Sequence, residues 1–203
     1  MCGRYYIDDD TAREIEKLVR QVDEKMRRTA AAGRVEIMAK DIHPTETAPI
    51  LTSSGSGLEC QWQRWGFPGF QKSKVIFNAR SESAMEKPMF RDAVLHRRAV
   101  IPAAWFYEWD RSKQKHTFYR KDGAALFMAG CYRKYEDGDR FVILTTQANA
   151  SMEPVHDRMP LILERAEAVD WLLEDGTAEE LLRKLPSLLE RRAEYEQMSL
   201  FNT

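Results

Sequence analysis

Long apolar runs are missing from the sequence. No stretch of the 203 residues approaches the roughly 18 consecutive apolar residues that a membrane-spanning helix needs. The acidic DDD at residues 8–10 lies where a secretory signal would carry its apolar region. We therefore expect a cytoplasmic protein without a membrane partner.

Cysteine pairs and an excess of one charge are missing too. Cys2, Cys60 and Cys131 are widely spaced, without CxxC or metal-type histidine spacing, so neither a disulfide framework nor a zinc site is indicated. We expect no metal and no cofactor. With 31 basic and 32 acidic side chains the net charge is -1, so any nucleic-acid surface must be a local patch. Charge alone does not indicate DNA.

The apolar pattern predicts one α+β domain spanning residues 1–203, built on a mixed, mainly antiparallel sheet. Helical spacing predicts a first helix from about Asp10 to Arg28. Further helices are expected at Pro88 to His96, Arg165 to Glu174 and Thr177 to Leu185. Strands are expected at Val35 to Ile42, Ala48 to Thr52, Leu58 to Phe67, Ala99 to Trp109, His116 to Arg120, Ala125 to Tyr135, Arg140 to Thr146 and Leu161 to Leu163. The EDGD turn at 136–139 favours a hairpin.

Cys2 carries the sharpest chemical signal. Removal of Met1 would leave an amine and a thiol on adjacent carbons, a 1,2-aminothiol. An α-amino group has a pKa of about 7.7 to 8.0 and a thiol one of about 8.5, so a fraction of each is nucleophilic near neutral pH. Such a pair can form a Schiff base with an aldehyde and close to a thiazolidine. The alternative is a disordered terminal residue without a role.

Three further segments could carry chemistry. Asn78 and Arg80 in FNARSES could orient an amine and clamp a phosphate, or could simply build a turn. Glu108 lies inside the aromatic run WFYEW, where desolvation would raise its pKa toward that of a general acid, unless strand alternation turns it to solvent. His156, in the proline-framed EPVHDRMP, is a candidate proton shuttle or an ordinary loop histidine.

Seven segments occur in an order that together resembles the SRAP family, the SOS response-associated peptidases. They are MCGRY at 1–5, HPTETAPI at 43–50, RWGF at 64–67, FNARSES at 77–83, PMFRDA at 88–93, RRAVIPAAWFYEW at 97–109 and ILTTQANASMEPVHDRMPLIL at 143–163. The resemblance implies a β-rich, barrel-like core with flanking helices and a positively charged groove for single-stranded DNA.

The resemblance also implies the role of each site residue. Cys2 would be the nucleophile that crosslinks to the aldehyde of an abasic site, Asn78 would hold its α-amino group, Glu108 would handle protons, and His156 would assist imine chemistry and crosslink reversal. The DNA contacts it implies are Arg4, Trp65, Phe67, Arg80, Arg91 and Arg158, with the arginines on phosphates and the aromatic rings beside bases. The partner is then single-stranded DNA with abasic sites, bound by a monomer that joins the bacterial nucleoid when DNA is damaged.

Two other functions remain open at the level of sequence. One is a cysteine peptidase that uses Cys2 and His156 as nucleophile and base. The other is a non-covalent reader of modified or single-stranded DNA. A denaturation-resistant adduct with DNA distinguishes both from the crosslinking protein.

Overall fold

The computed structural model describes residues 2–25, 38–55, 57–69, 71 and 74–194. The helices in this part are α1 (Asp9–Lys25), α2 (Ser81–Ala84), α3 (Pro88–His96), α4 (Arg165–Leu173) and α5 (Ala178–Leu182). The strands are β1 (Tyr5–Ile7), β2 (Lys40–Ile42), β3 (Thr47–Ser54), β4 (Gly57–Trp65), β5 (Phe67–Pro68), β6 (Val75–Ile76), β7 (Asn78–Arg80), β8 (Arg98–Ala103), β9 (Trp105–Trp109), β10 (Lys115–Tyr119), β11 (Leu126–Arg133), β12 (Arg140–Gln147), β13 (Arg158–Pro160), β14 (Ile162–Leu163) and β15 (Glu190–Glu194).

Five of these strands close into a ring. β12 pairs with β4 on one side and with β11 on the other, and the chain of pairs β4–β3–β8–β11 completes the circuit. Only the β12–β4 pair within this ring is parallel. Each strand of this ring, which we call the barrel, is therefore paired on both sides along at least part of its length. The α+β class and the mixed, mainly antiparallel core predicted from the sequence are confirmed.

Gly130 marks a close approach between barrel strands. A Cβ added there would lie 2.4 Å from Ile101 Cδ1 and 2.5 Å from the Val142 carbonyl oxygen. The Trp171 indole, fully buried on α4, donates from Nε1 to the carbonyls of Ala99 (3.0 Å) and Gly130 (3.3 Å). The absent side chain therefore allows strands and helix to pack closely at this point.

A second sheet lies beside the barrel in the order β15–β10–β9–β1–β2. β9 is its central strand and pairs antiparallel with β1 and β10. The backbone N–H of Tyr107 also donates to the Arg4 carbonyl at 3.0 Å. This bond extends the β1–β9 pairing toward the amino terminus, so the sheet holds the segment that follows Cys2.

Some predicted boundaries are wrong. The run predicted as one strand over Ala99 to Trp109 is two strands, β8 in the barrel and β9 in the second sheet, because the chain changes sheets at Ala104. The predicted strand ending at Phe67 stops at Trp65, since Gly66 has φ 114° and turns the chain away.

The helical predictions differ from the structure mainly at their ends. α1 is described to Lys25, and the predicted continuation to Arg28 and the start of the strand predicted from Val35 fall outside the described residues. The last predicted helix is shorter than expected, α5 spanning Ala178–Leu182. Among the described residues, no helix is both long enough and apolar enough to cross a bilayer.

Candidate active site at Cys2

The Cys2 thiol is enclosed by the fold. Cys2 is 1% exposed, and its Sγ lies 3.7 Å from the Arg4 carbonyl oxygen. Burial, and next the negative charge of Glu108, raise the pKa of this thiol to about 12. The thiol is therefore protonated near neutral pH. The antiparallel β1–β9 pairing, with Tyr5 opposite Phe106 and the Tyr107 N–H on the Arg4 carbonyl, runs from there toward Glu108 on one strand and toward Cys2 on the other.

Asn78 contacts the backbone of Cys2 across 76 residues of sequence. Its Nδ2 donates to the Cys2 carbonyl oxygen at 2.8 Å. Since a carbonyl only accepts, the amide must turn its nitrogen to Cys2. The Oδ1 atom is buried and has no hydrogen-bond partner within the described part of the chain. The parallel β7–β12 pairing, in which Asn78 lies beside Ile143, fixes the backbone of this residue.

Glu108 points inward from β9. It is 5% exposed, so the alternative of a solvent-facing carboxylate is wrong. On β10 the buried His116 stands directly opposite Glu108, and its Nε2 lies 3.1 Å from Asp110 Oδ2. His116 was not among the residues singled out from the sequence. Its place next to Glu108 could be found only once the β9–β10 register was known.

His156 belongs to a loop that is built around Asn149. The Asn149 side chain accepts from the backbone of Ser151 at 3.0 Å and donates to the Pro186 carbonyl at 3.0 Å. His156 Nδ1 lies 3.0 Å from the Arg158 backbone nitrogen and 2.8 Å from Asp157 Oδ1. Nδ1 accepts from the amide when it carries no hydrogen and donates to the carboxylate when it carries one, so it makes one of these hydrogen bonds at a time. The loop thus offers a partner to either form of the ring.

A cleft of about 980 Å³ separates this loop from the end of β9. Its lining comprises Trp109, Asp110, Arg111, Ser112, Gln147, Ala148, Glu153, Pro154, Val155, His156 and Asp157. Trp109 is 38% exposed and was not among the residues singled out from the sequence. Strand alternation is the signal that could have found it, since an inward Glu108 requires an outward Trp109. The structure brings Cys2, Asn78 and Glu108 together and sets His156 on the cleft wall.

The expected base contacts of Trp65 and Phe67 are wrong, because both side chains are 0% exposed. Trp65 donates from Nε1 to the Phe77 carbonyl at 2.8 Å. Phe67 packs on Phe90 with ring centroids 6.1 Å apart. An aromatic ring must present a free face to stack on a base, and these two rings face the core instead.

Two of the four arginines expected on phosphates are already paired with carboxylates. Arg4 forms an ion pair with Asp41, and Arg158 forms one with Glu82. Arg80 is exposed at the end of β7, and Arg91 is exposed on α3. β12 brings Arg80 toward Arg158. Arg80 lies opposite Thr145 of β12, and the Thr145 carbonyl accepts a hydrogen bond from Arg158 Nη2 at 2.6 Å.

With this geometry in place, comparison with known proteins identifies the class. The chain belongs to the SOS response associated peptidase (SRAP) family, whose model matches residues 1–201. It is 34% identical over 179 residues to the abasic site processing protein YoaM of Bacillus subtilis, covering 80% of this chain and 79% of that protein. It is 27% identical over 188 residues to the abasic site processing protein YedK of Escherichia coli, covering 89% and 83%.

The fold has a close match among solved structures. The crystal structure of a protein from Bordetella bronchiseptica superposes with a TM-score of 0.74 at 26% identity, covering 96% of this chain and 100% of that one. The predicted SRAP resemblance is confirmed, and with it the class of fold.

Proposed function

We propose that this chain is an abasic site processing protein that binds single-stranded DNA and bonds covalently to the abasic-site aldehyde through Cys2. The carrying observation is the enclosure of Cys2, whose carbonyl accepts from Asn78 at 2.8 Å and whose following residues pair with β9, the strand that carries the buried Glu108. The names of the relatives in Bacillus subtilis and Escherichia coli support the same substrate.

The proposed reaction starts with the loss of Met1, which frees the Cys2 amine. Cleavage of Met1 by the chain itself would account for the peptidase in the family description. The amine then attacks the aldehyde carbon of the opened sugar, and loss of water gives a Schiff base. The thiol adds to the imine carbon and its proton passes to the nitrogen, which closes the thiazolidine. A buried thiol with its pKa raised to about 12 supports this order, amine first and thiol second.

Three side chains have proton or positioning roles in this scheme. The buried Oδ1 of Asn78 is an acceptor for the Cys2 amine. Glu108 donates a proton to the ring oxygen of the closed sugar and so helps to expose the aldehyde. His156 serves proton transfers at the imine and in reversal of the crosslink, a lyase-type step. A positioned acid or base of this kind contributes about 10² to 10⁴ in rate.

In the proposal, arginines contact the DNA phosphates and one exposed aromatic ring contacts the bases. Arg80 and Arg158 would hold the phosphates beside the lesion, with Arg4 and Arg91 as further contacts. The outward Trp109 at the cleft offers the aromatic surface that Trp65 and Phe67 cannot provide. Such a site acts in the cytoplasm, on the nucleoid of a damaged cell, and favours unpaired DNA because unstacking a lesion from a duplex costs a few kcal/mol.

One experiment tests this proposal against both alternatives. A single strand containing uracil is treated with uracil glycosylase, incubated with the protein, boiled in detergent and run on a denaturing gel. We expect a shifted band with the parent protein and none with Cys2→Ala or with a retained Met1. A stable band from protein whose Met1 is still present, shown by mass spectrometry, refutes the mechanism. A non-covalent reader gives no shifted band, because boiling in detergent releases the DNA.

The peptidase alternative is disfavoured by the state of the thiol. A nucleophilic cysteine paired with an imidazolium has a lowered pKa, whereas burial raises the pKa of Cys2 to about 12. Turnover of peptides in trans by the Met1-free protein would support the peptidase instead.

A further inference from the structure

Glu82 holds the guanidinium that the proposed function assigns to a DNA phosphate. Its two carboxylate oxygens receive one hydrogen bond each from Arg158 Nη1 and Nη2, the second at 2.9 Å. The hydrogen bonds from Arg158 are the main reason that the pKa of Glu82 is lowered, and the charge of Arg80 lowers this pKa further. The carboxylate therefore occupies the fork of Arg158 as a bound phosphate would, and the positive charge of Arg80 also acts on it.

Two of the other donors of Arg158 are not open to a phosphate. Nη2 donates its other hydrogen to the Thr145 carbonyl at 2.6 Å. Nε is buried, without a partner in the part of the chain that the structure describes, and out of reach of solvent. The end-on fork of Nη1 and Nη2 is the face that can bind a phosphate with two parallel hydrogen bonds, and Glu82 occupies it.

The geometry points to Glu82 as a specificity-determining residue that competes with the DNA phosphate for Arg158. Binding of any strand then requires Glu82 to leave the guanidinium. This competition weakens binding to intact single strands, where phosphate contacts supply most of the affinity. An abasic strand is retained in spite of it, because the covalent bond at Cys2 follows. The inference rests on the proposed function and concerns the non-covalent step that precedes the crosslink.

The test measures equilibrium binding to a strand that cannot crosslink. A fluorescent oligothymidine of about 20 nucleotides covers a typical single-strand site and carries no aldehyde. We expect Glu82→Gln to tighten its binding about fivefold, the range of one partly exposed ion pair. Glu86→Gln is the matched control, since Glu86 is exposed four residues further on and the charge change is the same. Its effect should stay below about twofold.

A double-mutant cycle separates competition from a general charge effect. With Arg158→Ala in place, Glu82→Gln should change affinity no more than Glu86→Gln does, because the guanidinium that both ligands seek is gone. Equal effects of Glu82→Gln in both backgrounds contradict the inference. Weaker binding by Glu82→Gln also overturns it, since Glu82 would then orient Arg158 for the phosphate. If the parent protein crosslinks abasic DNA but Glu82→Gln binds intact strands as the parent does, this inference is wrong and the proposed function stands. If the parent forms no crosslink, the proposed function is wrong.

Discussion

Replacing Asn78 with alanine should slow crosslinking without unfolding the protein. The substitution removes the 2.8 Å hydrogen bond to the Cys2 carbonyl and leaves that enclosed oxygen without its side-chain donor. An unsatisfied buried polar group costs about 1 to 3 kcal/mol. If the terminal segment moves to escape this cost, the amine loses its orientation, and the same energy in the transition state lowers the rate roughly 5- to 150-fold.

A second substitution at Asn78 separates its two functions. Asn78→Asp keeps an acceptor where Oδ1 lies but replaces the donor with a second oxygen, which repels the Cys2 carbonyl. We expect this variant to fall between the parent and Asn78→Ala if the acceptor holds the amine. Equal rates for both variants would instead assign the whole effect to the bond with the carbonyl.

The assay is a single-turnover crosslinking time course on an abasic single strand, with thermal unfolding measured on the same samples. Gln21→Ala, an amide on the exposed face of α1, is the control and should match the parent. A parent-like rate for Asn78→Ala with Met1 fully removed refutes the positioning role. The thermal unfolding curve shows whether a variant is folded at the assay temperature, so a slow rate caused by unfolding is recognised.

The remaining predictions concern charge and protonation. Glu108→Gln should slow crosslinking about 10²-fold or more, yet quicken alkylation of Cys2, because the Glu108 charge raises the pKa of that thiol; slowed alkylation contradicts the assignment. Arg80→Ala should flatten the slope of log affinity against log salt on single strands by about 0.7, with Arg20→Ala as an exposed control that changes nothing. Burial raises the pKa of the Cys60 thiol from 9.0 to about 11 and that of the Cys131 thiol from 9.0 to about 12. The contribution of these two thiols to the free energy of unfolding is therefore fully present below pH 9 and is lost as the pH rises through the raised pKa values. Mass spectrometry should find Cys60 alkylated before Cys131, which is fully buried, and the reverse order contradicts the described barrel.

Local signals predicted much of the fold. Pro88 at the first turn of α3 and the EDGD turn between β11 and β12 have fixed local geometry, and both elements occur where the pattern indicates. The split of the run from Ala99 to Trp109 was not predictable in this way. Both halves are apolar, and what separates them is the sheet to which each half is hydrogen-bonded, which is a long-range property.

Sequence motifs singled out candidate residues for the site but not the contacts between them. Motif order identified Asn78 and Cys2, whereas the hydrogen bond between them depends on pairings 76 residues apart. The aromatic letters in RWGF suggested a base platform at Trp65, but the side chain is fully buried. The partner of Arg158 was also hidden, because Glu82 is as distant in sequence as Cys2 is from Asn78.

β12 explains how these distant residues meet. It pairs in parallel with β7, which carries Asn78 and Arg80, and antiparallel with β13, which begins at Arg158. The same strand closes the barrel through β4 and β11. A strand paired in this way cannot shift its register without breaking the barrel, because a slip of one residue would turn its buried side chains outward. The hydrogen bond from Asn78 to Cys2 and the positions of Arg80 and Arg158 therefore depend on the register of β12 in the barrel. Substitutions within β12 should accordingly also change the rate of the proposed crosslinking.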